Sequence, residues 1–385
     1  MTVLGMFFTR GVSLRKWEES GLFDREVMIY HAHLDSGYFS QIHWFTYGAD
    51  DADLARALHD SGRLSRSIKV VPCPRWLRSA GRAGSALYSL LLPIFLRRIV
   101  VRCDVLKTNQ MDGSIPALIC SAIWRRPLYV RTGYTLSRAI EKTSPGNWIR
   151  RVVAFANEYL AFRLASASSV SSRYDQEYIV QRYGAKIQKP MIVGNYVDTG
   201  LFSSSAQDVK VKDRILYVGR LSSEKNLDNA IAACATLDMG LDVIGTGGEL
   251  PHLKEIAVQC GASVRWLGVV PNKQLPEVLQ GYRYFILPSL WEGLPKALLE
   301  AMSAGLVCIG NDTTGINEVI QDGVTGYLSP SADALAIAET IRRALAGDSE
   351  RISRAGSEYV RKEFSLDAIV AKEQAIFTSI VARHR

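Results

Sequence analysis

Tyr284–Met302 reads YFILPSLWEGLPKALLEAM, and the fold turns on this stretch. An apolar run, Tyr284–Leu287, has the composition of a buried strand and stops at Pro288-Ser289. A loop follows, closing on Glu292-Gly293, and a helix is predicted to start near Pro295, because proline suits the first helical position. Strand, loop and helix in that order are the repeating unit of a parallel sheet. Gly293 lets the backbone approach a ligand, and the N–H groups at the helix start form an anion site. Glu300 lies about one and a half turns along that helix. Glu292 and Glu300 could therefore accept hydrogen bonds from hydroxyls on either side of a bound phosphate. The plainer alternative makes Glu292 a helix cap and Glu300 a solvated residue. Against it, Leu298, Leu299, Ala301 and Met302 flank Glu300, and an acid in so apolar a setting usually needs a partner.

Upstream, Ile215–Asn226 reads ILYVGRLSSEKN, a buried strand ending at Gly219 with Arg220 and Lys225 in the loop behind it. Two fixed cations just past a strand's C-terminal end can neutralise a diphosphate, the Arg with a bidentate grip. In a group transfer that releases a nucleoside diphosphate they would stabilise charge growing on the leaving group. The alternative is an exposed loop with a weak Glu224–Lys225 surface pair.

Further out, short strands alternate with amphipathic helices along the whole chain. Strands are predicted at 3–8, 42–47, 68–72, 105–108 and 128–131, then at 215–218, 241–244, 264–267, 284–287 and 307–310. Helices are predicted at 24–34, 87–101, 115–124, 148–165, 227–237 and 250–259. The fold class is α/β: two Rossmann-like, doubly wound domains facing a cleft. Residues 198–213, rich in Ser, Asp and Lys, read as a linker. The expected division is 1–200, 201–365, and a closing helix at 366–385 that could cross back to the first domain.

At 385 residues the chain suits two domains of roughly 100–200 residues each. Its net charge of +8 is uneven: residues 1–205 hold 27 Lys and Arg against 16 Asp and Glu, the rest 19 against 22. A basic first half suggests an anionic partner, and a membrane surface suits it better than nucleic acid, for which no binding module is present. The six cysteines form no CxxC pair and read as reduced, mostly buried thiols of a cytoplasmic protein. The N-terminal MTVLGMFFTRG reads as a first strand, and Ala86–Leu96 is too short to span a bilayer. Two segments could rest on a membrane: the amphipathic 145–165, with Trp148 beside Arg150-Arg151, and the cluster of Arg75, Trp76, Arg78 and Arg82. A core helix is the competing reading of the first, ordinary solvent exposure of the second.

Weaker signals complete the set. Val243–Gly248, VIGTGG, is not a clean GxGxxG and reads as a tight turn. Arg10-Gly11 sits just past the first strand, where a loop could touch phosphate or sugar. Asp51-Ala52-Asp53 has the letters of a metal-binding DxD but begins a helix, where acids favour the first turn.

Together these segments resemble the glycosyltransferase family 4 of retaining enzymes with the GT-B fold. The landmarks are NYVDTGLF (195–202), YVGRLSSEKN (217–226), IGTGGEL (244–250), LG (267–268), PSLWEGLPKALLEAM (288–302) and GINEVIQDGVTGYL (315–328), in the family's order. The resemblance implies catalytic roles for Arg220, Lys225 and Glu292. It implies donor-binding roles for Gly11, Gly219, Gly293, Leu294, Pro295 and Glu300. A histidine common after the fourth strand is missing here, which leaves Asn109 or Gln110 as sugar contacts. It also implies transfer on the donor's front face, without a protein base, a cofactor or a metal. The expected substrates are a UDP- or GDP-linked hexose and a glycan or lipid-linked acceptor of bacterial surface polysaccharide or lipopolysaccharide. The expected place is the cytoplasm, at the inner face of the cell membrane. A sugar-nucleotide 2-epimerase and a non-catalytic sugar-nucleotide-binding subunit are the competing readings.

Overall fold

The computed structural model describes residues 2–78, 81–133, 135–143, 146–203 and 211–384, apart from the side chains of residues 78, 82, 83, 139, 141–143, 211 and 212. The side chains of Arg78 and Arg82 in the basic cluster, Pro145, and residues 204–210 of the expected linker lie outside what is described.

Strands β1 (Thr2–Phe7), β2 (Phe39–Phe45), β3 (Ile68–Val71), β4 (Val105–Thr108), β5 (Leu128–Arg131), β6 (Ala167–Val170) and β7 (Met191–Ile192) form one sheet in the order 3-2-1-4-5-6-7. Strands β8 (Val211–Val218), β9 (Gly240–Ile244), β10 (Val264–Gly268), β11 (Tyr282–Leu287), β12 (Val307–Asn311) and β13 (Tyr327–Ser329) form a second, in the order 10-9-8-11-12-13. Every pairing in both is parallel. Helices cover both faces of such sheets, so their strands become near-continuous buried runs; β9 and β12 are buried at every position.

The chain divides into two compact units, residues 1–193 with 370–385, and residues 194–369. Residues 194–202, assigned from sequence to the first domain and the linker, fold onto the second unit. Val197 bridges to Ser365, and Phe202 packs into the core with Ile215 and Leu216. Strands β6, β7 and β13 escaped the sequence reading because ASSV, a two-residue MI and YLS carry too little apolar signal.

Each unit has one point where the strand order reverses, between β1 and β4 and between β8 and β11. Connections leave there toward opposite faces, which opens a crevice at the strand C-termini where α/β sheets bind ligands.

Candidate active site

In the second unit the two sequence-predicted loops flank the β8/β11 reversal. Leu290 N–H donates to the Glu224 carbonyl at 2.9 Å, tying one loop to the other. Lys225 Nζ donates to Glu292 Oε1 at 2.6 Å, joining residues 67 apart in sequence. Ser289 Oγ donates to the same carboxylate oxygen at 2.7 Å. The side chains of Lys225 and Glu292 are 13% and 12% exposed, so the pair is largely desolvated yet still open to a ligand. Arg220 is 81% exposed and only 3.9 Å from Glu224. Lys225 thus pairs with Glu292 and not, as in the alternative reading, with Glu224, and one cation remains outward beside a cation–carboxylate pair. Glu224 stays below its ordinary range. Its burial works the other way but is outweighed by the Ser222 hydroxyl, a backbone N–H, and the charges of Lys225 and Arg220.

Tyr217, buried at the end of β8, donates from its hydroxyl to the Arg220 carbonyl at 2.8 Å and fixes the loop. Burial, and after it the negative charge of Glu292, holds its phenol far above the ordinary value, so it remains a donor. The following glycines are matters of close approach. A Cβ on Gly245 would lie 1.8 Å from the Gly219 carbonyl, and one on Gly315 would lie 1.9 Å from that of Gly293. Both also take positive φ, of 140° and 82°.

The helix expected at Pro295 runs Lys296–Ser303, with Pro295 as its N-cap at ψ 113°. Proline stands one position earlier than the sequence suggested. No side chain caps the first turn, and Glu292, the candidate cap, is engaged with Lys225 instead. Leu294 is buried, and its carbonyl accepts from Asn195 Nδ2 at 2.7 Å. Glu300 is 7% exposed, which sets aside the reading of a solvated helix residue. Asn311 Nδ2, at the end of β12, donates to the Pro288 carbonyl at 2.5 Å, while its buried Oδ1 has no partner.

In the first unit the loops beside the β1/β4 reversal are differently furnished. Gly11 adopts φ 76° with nothing within 4 Å of where a Cβ would sit, so the turn and not packing calls for glycine. Asn109 is buried, its N–H donating to the Phe7 carbonyl at 2.9 Å. Gln110 Oε1 accepts from Gly133 N–H at 2.8 Å, which already engages it in holding the loop after β5. Beside these loops a cavity of about 260 Å³ is lined by Arg10, Asp112, Ile140, Ile149, Arg150 and Val153, among others. Burial pushes the Asp112 carboxyl up, against the opposing pull of Arg10 and Arg150. The letters Asp51-Ala52-Asp53 do begin a helix, Asp51–Asp60. Asp51 is buried and accepts from the N–H groups of Leu14, Arg15 and Gly48. Among the described residues no three His, Cys, Asp or Glu side chains stand close enough to hold a metal ion.

Sequence reasoning missed Tyr217, Ser289 and Asn195 as supports of the site. A Tyr two residues before Gly219 and a Ser three before Glu292 were visible, but their hydrogen bonds depend on loop geometry.

The motif and the geometry agree with a family match. Residues 203–362 match the family model described as "Glycosyl transferases group 1". Most of the second unit is thus similar to a glycosyl transferases group 1 domain. Over 150 residues the chain is 34% identical to the amylovoran biosynthesis glycosyltransferase AmsK of Erwinia amylovora, a match covering 36% of this chain and 37% of that protein. It is 30% identical over 246 residues to the UDP-Gal:alpha-D-GlcNAc-diphosphoundecaprenol alpha-1,3-galactosyltransferase of Escherichia coli, covering 58% of this chain and 62% of that one. The chain thus spans little more than a third of the first relative and under two thirds of the second. Anabaena Alr3699/HepE, solved in complex with UDP, superposes with a TM-score of 0.74 at 19% identity, over 98% of this chain and all of that one. At that identity the likeness is one of fold: the second unit and the unit before it make up the two Rossmann-like domains of the GT-B architecture.

Proposed function

We propose that the protein is a retaining glycosyltransferase that moves a hexose from a UDP- or GDP-linked donor to a glycan or lipid-linked acceptor of bacterial surface polysaccharide. The observation that carries this is the meeting of Lys225 and Glu292 across the β8/β11 reversal, with Arg220 outward beside them. A diphosphate arriving there meets two cations already positioned, so little reorganisation opposes the growth of charge on the leaving group. The first-turn amides after Pro295 and the backbone at Gly293-Leu294 would add an anion site at a helix N-terminus. Glu292, held by Lys225 and Ser289, would turn its carboxylate to the transferred sugar, and Glu300 would accept from ribose hydroxyls. With Arg220 and Lys225 neutralising the diphosphate, no metal or cofactor is needed for that task.

The acceptor would be held by the first unit, in the cavity beside Arg10, Asp112 and Arg150, with Gly11 and Asn109 close to the sugar. Gln110 would support that loop. The names of the relatives favour this: one works on a diphosphoundecaprenol-linked sugar with UDP-Gal, another belongs to amylovoran biosynthesis. No described helix is long and apolar enough to cross a membrane. A lipid-linked acceptor would bring the protein to the inner face of the cell membrane as a peripheral enzyme in the cytoplasm.

The test is transfer itself, followed by NMR of the product's anomeric centre with α-linked donors. An α product supports the proposal and a β product contradicts retention. Donor binding without any transfer would favour a non-catalytic subunit, and a donor altered without an acceptor would favour an epimerase.

A further inference from the structure

Three helices of the first unit, Gly81–Phe95, Ser114–Trp124 and Trp148–Leu164, follow β3, β4 and β5. All three connections advance along the sheet in the same direction, so right-handed crossovers place them on one face. The middle helix packs against both others, making a single layer. Its inner side is ordinary core: Tyr88, Leu92, Cys120 and Phe162 are buried.

The outer side departs from an ordinary soluble surface. Leu90, Ile94, Ile123, Trp148 and Val152 are all between 53% and 69% exposed, and they recur on all three helices. Scattered exposed apolar residues are normal, but a layer that presents them on every helix marks an interaction surface. The charges there are one-sided. The three helices contain a single acid, Glu158, which is fully buried and accepts from Tyr183 and the Ser137 N–H. Residues 61–103 contain no Asp or Glu at all, against nine Lys and Arg. Arg98 and Arg150 are exposed, and the Arg97 guanidinium stacks over Trp124 at 5.1 Å. Pairing this face with a second copy would set arginines against arginines. Anionic lipid satisfies both features at once, apolar side chains entering the acyl boundary while guanidinium groups meet headgroup phosphates.

We propose that the outer face of this three-helix layer docks on an anionic lipid surface. It rests on the membrane association proposed above and on nothing about the donor. Helix Trp148–Leu164 also lines the cavity beside Arg10 and Asp112, so docking would bring a lipid-linked acceptor to that cavity from the membrane side.

The full-length protein is floated with vesicles of phosphatidylcholine alone and of phosphatidylcholine containing phosphatidylglycerol. The comparison variant is the triple substitution Leu90→Glu, Ile94→Glu, Val152→Glu, all at exposed positions where folding is tolerant. The wild type is expected to float only with the anionic vesicles. The variant should bind at least roughly tenfold more weakly, with unchanged nucleotide binding and melting temperature. A variant that floats as well as the wild type overturns this face but leaves membrane association standing. A wild type that floats with neither vesicle overturns both. If the wild type self-associates in sedimentation and the variant does not, the face is covered by a second copy and the lipid proposal fails.

Discussion

Two lysine–glutamate pairs in this protein are equally close and differently placed. Lys107 Nζ and Lys225 Nζ each lie 2.6 Å from a glutamate oxygen, on Glu373 and Glu292. Lys107 is on β4, and its pair is 2% and 0% exposed. His33 Nε2 lies 3.0 Å from the same carboxylate, and Tyr30 and Phe377 present their rings to the ammonium. This pair pins the closing helix Leu366–His384 to the first sheet. Lys225 lies past the end of β8, where its pair keeps a polar edge toward solvent and a second cation, Arg220, stands beside it. The fold of the two units is nearly the same, so topology alone does not decide the chemistry. What separates the two pairs is whether the charges sit inside the sheet or in the loops at its C-terminal edge.

That contrast can be broken most forcefully at Glu373. Burial alone would raise its carboxyl, but Lys107, His33 and Arg131 together lower it from 4.5 to about 2. Lys107, with one carboxylate and full burial, is pulled down from its ordinary value. Because the folded carboxyl is the more acidic, its contribution to stability is complete above pH 4.5 and lost as pH falls toward 2. Glu373→Gln should cost about 3–5 kcal/mol in urea unfolding and remove that acid-side loss, because it strands Lys107 uncompensated. Nucleotide affinity should be unchanged. An equally stable variant would mean the pair is not what anchors the closing helix.

Lys225→Met should act in the reverse sense. It is expected to lower kcat about 10²–10³-fold, the size of removing one preorganised group from a charge-stabilising site, with a small change in melting temperature. A loss of stability without a kinetic defect would place this pair with Lys107–Glu373 as a structural device. The smallest effect is expected at Gln110→Ala. Removing the acceptor for Gly133 should cost about 1 kcal/mol in unfolding and leave donor binding unaltered. A tenfold loss of donor affinity there would show that Gln110 serves the sugar directly.

The sequence carried the parts that local chemistry specifies. Apolar runs bounded by turns marked ten of the strands, and the cations after β8 and the acids after β11 were legible because each lies within one strand-to-helix passage. The short β6 and β7 were not, since ASSV and MI have no buried-run signature and exist only through pairing with neighbours. Nor could Lys225 be matched to Glu292 across 67 residues, or Lys107 to Glu373 across 266, because those contacts come from sheet order. Gln110 illustrates the same limit: that its Oε1 accepts from Gly133, 23 residues on, is not legible in the sequence.

The central claim is that the second unit binds a nucleotide-sugar donor at the β8/β11 reversal. The most direct measurement is thermal unfolding of the wild type and Glu300→Gln with UDP, GDP, ADP and their sugar conjugates. One nucleotide class should stabilise the wild type, by about 2.7 kcal/mol at 100 times its dissociation constant, and should stabilise Glu300→Gln clearly less. No stabilisation by any of them, or equal stabilisation of both proteins, would contradict the donor site described above.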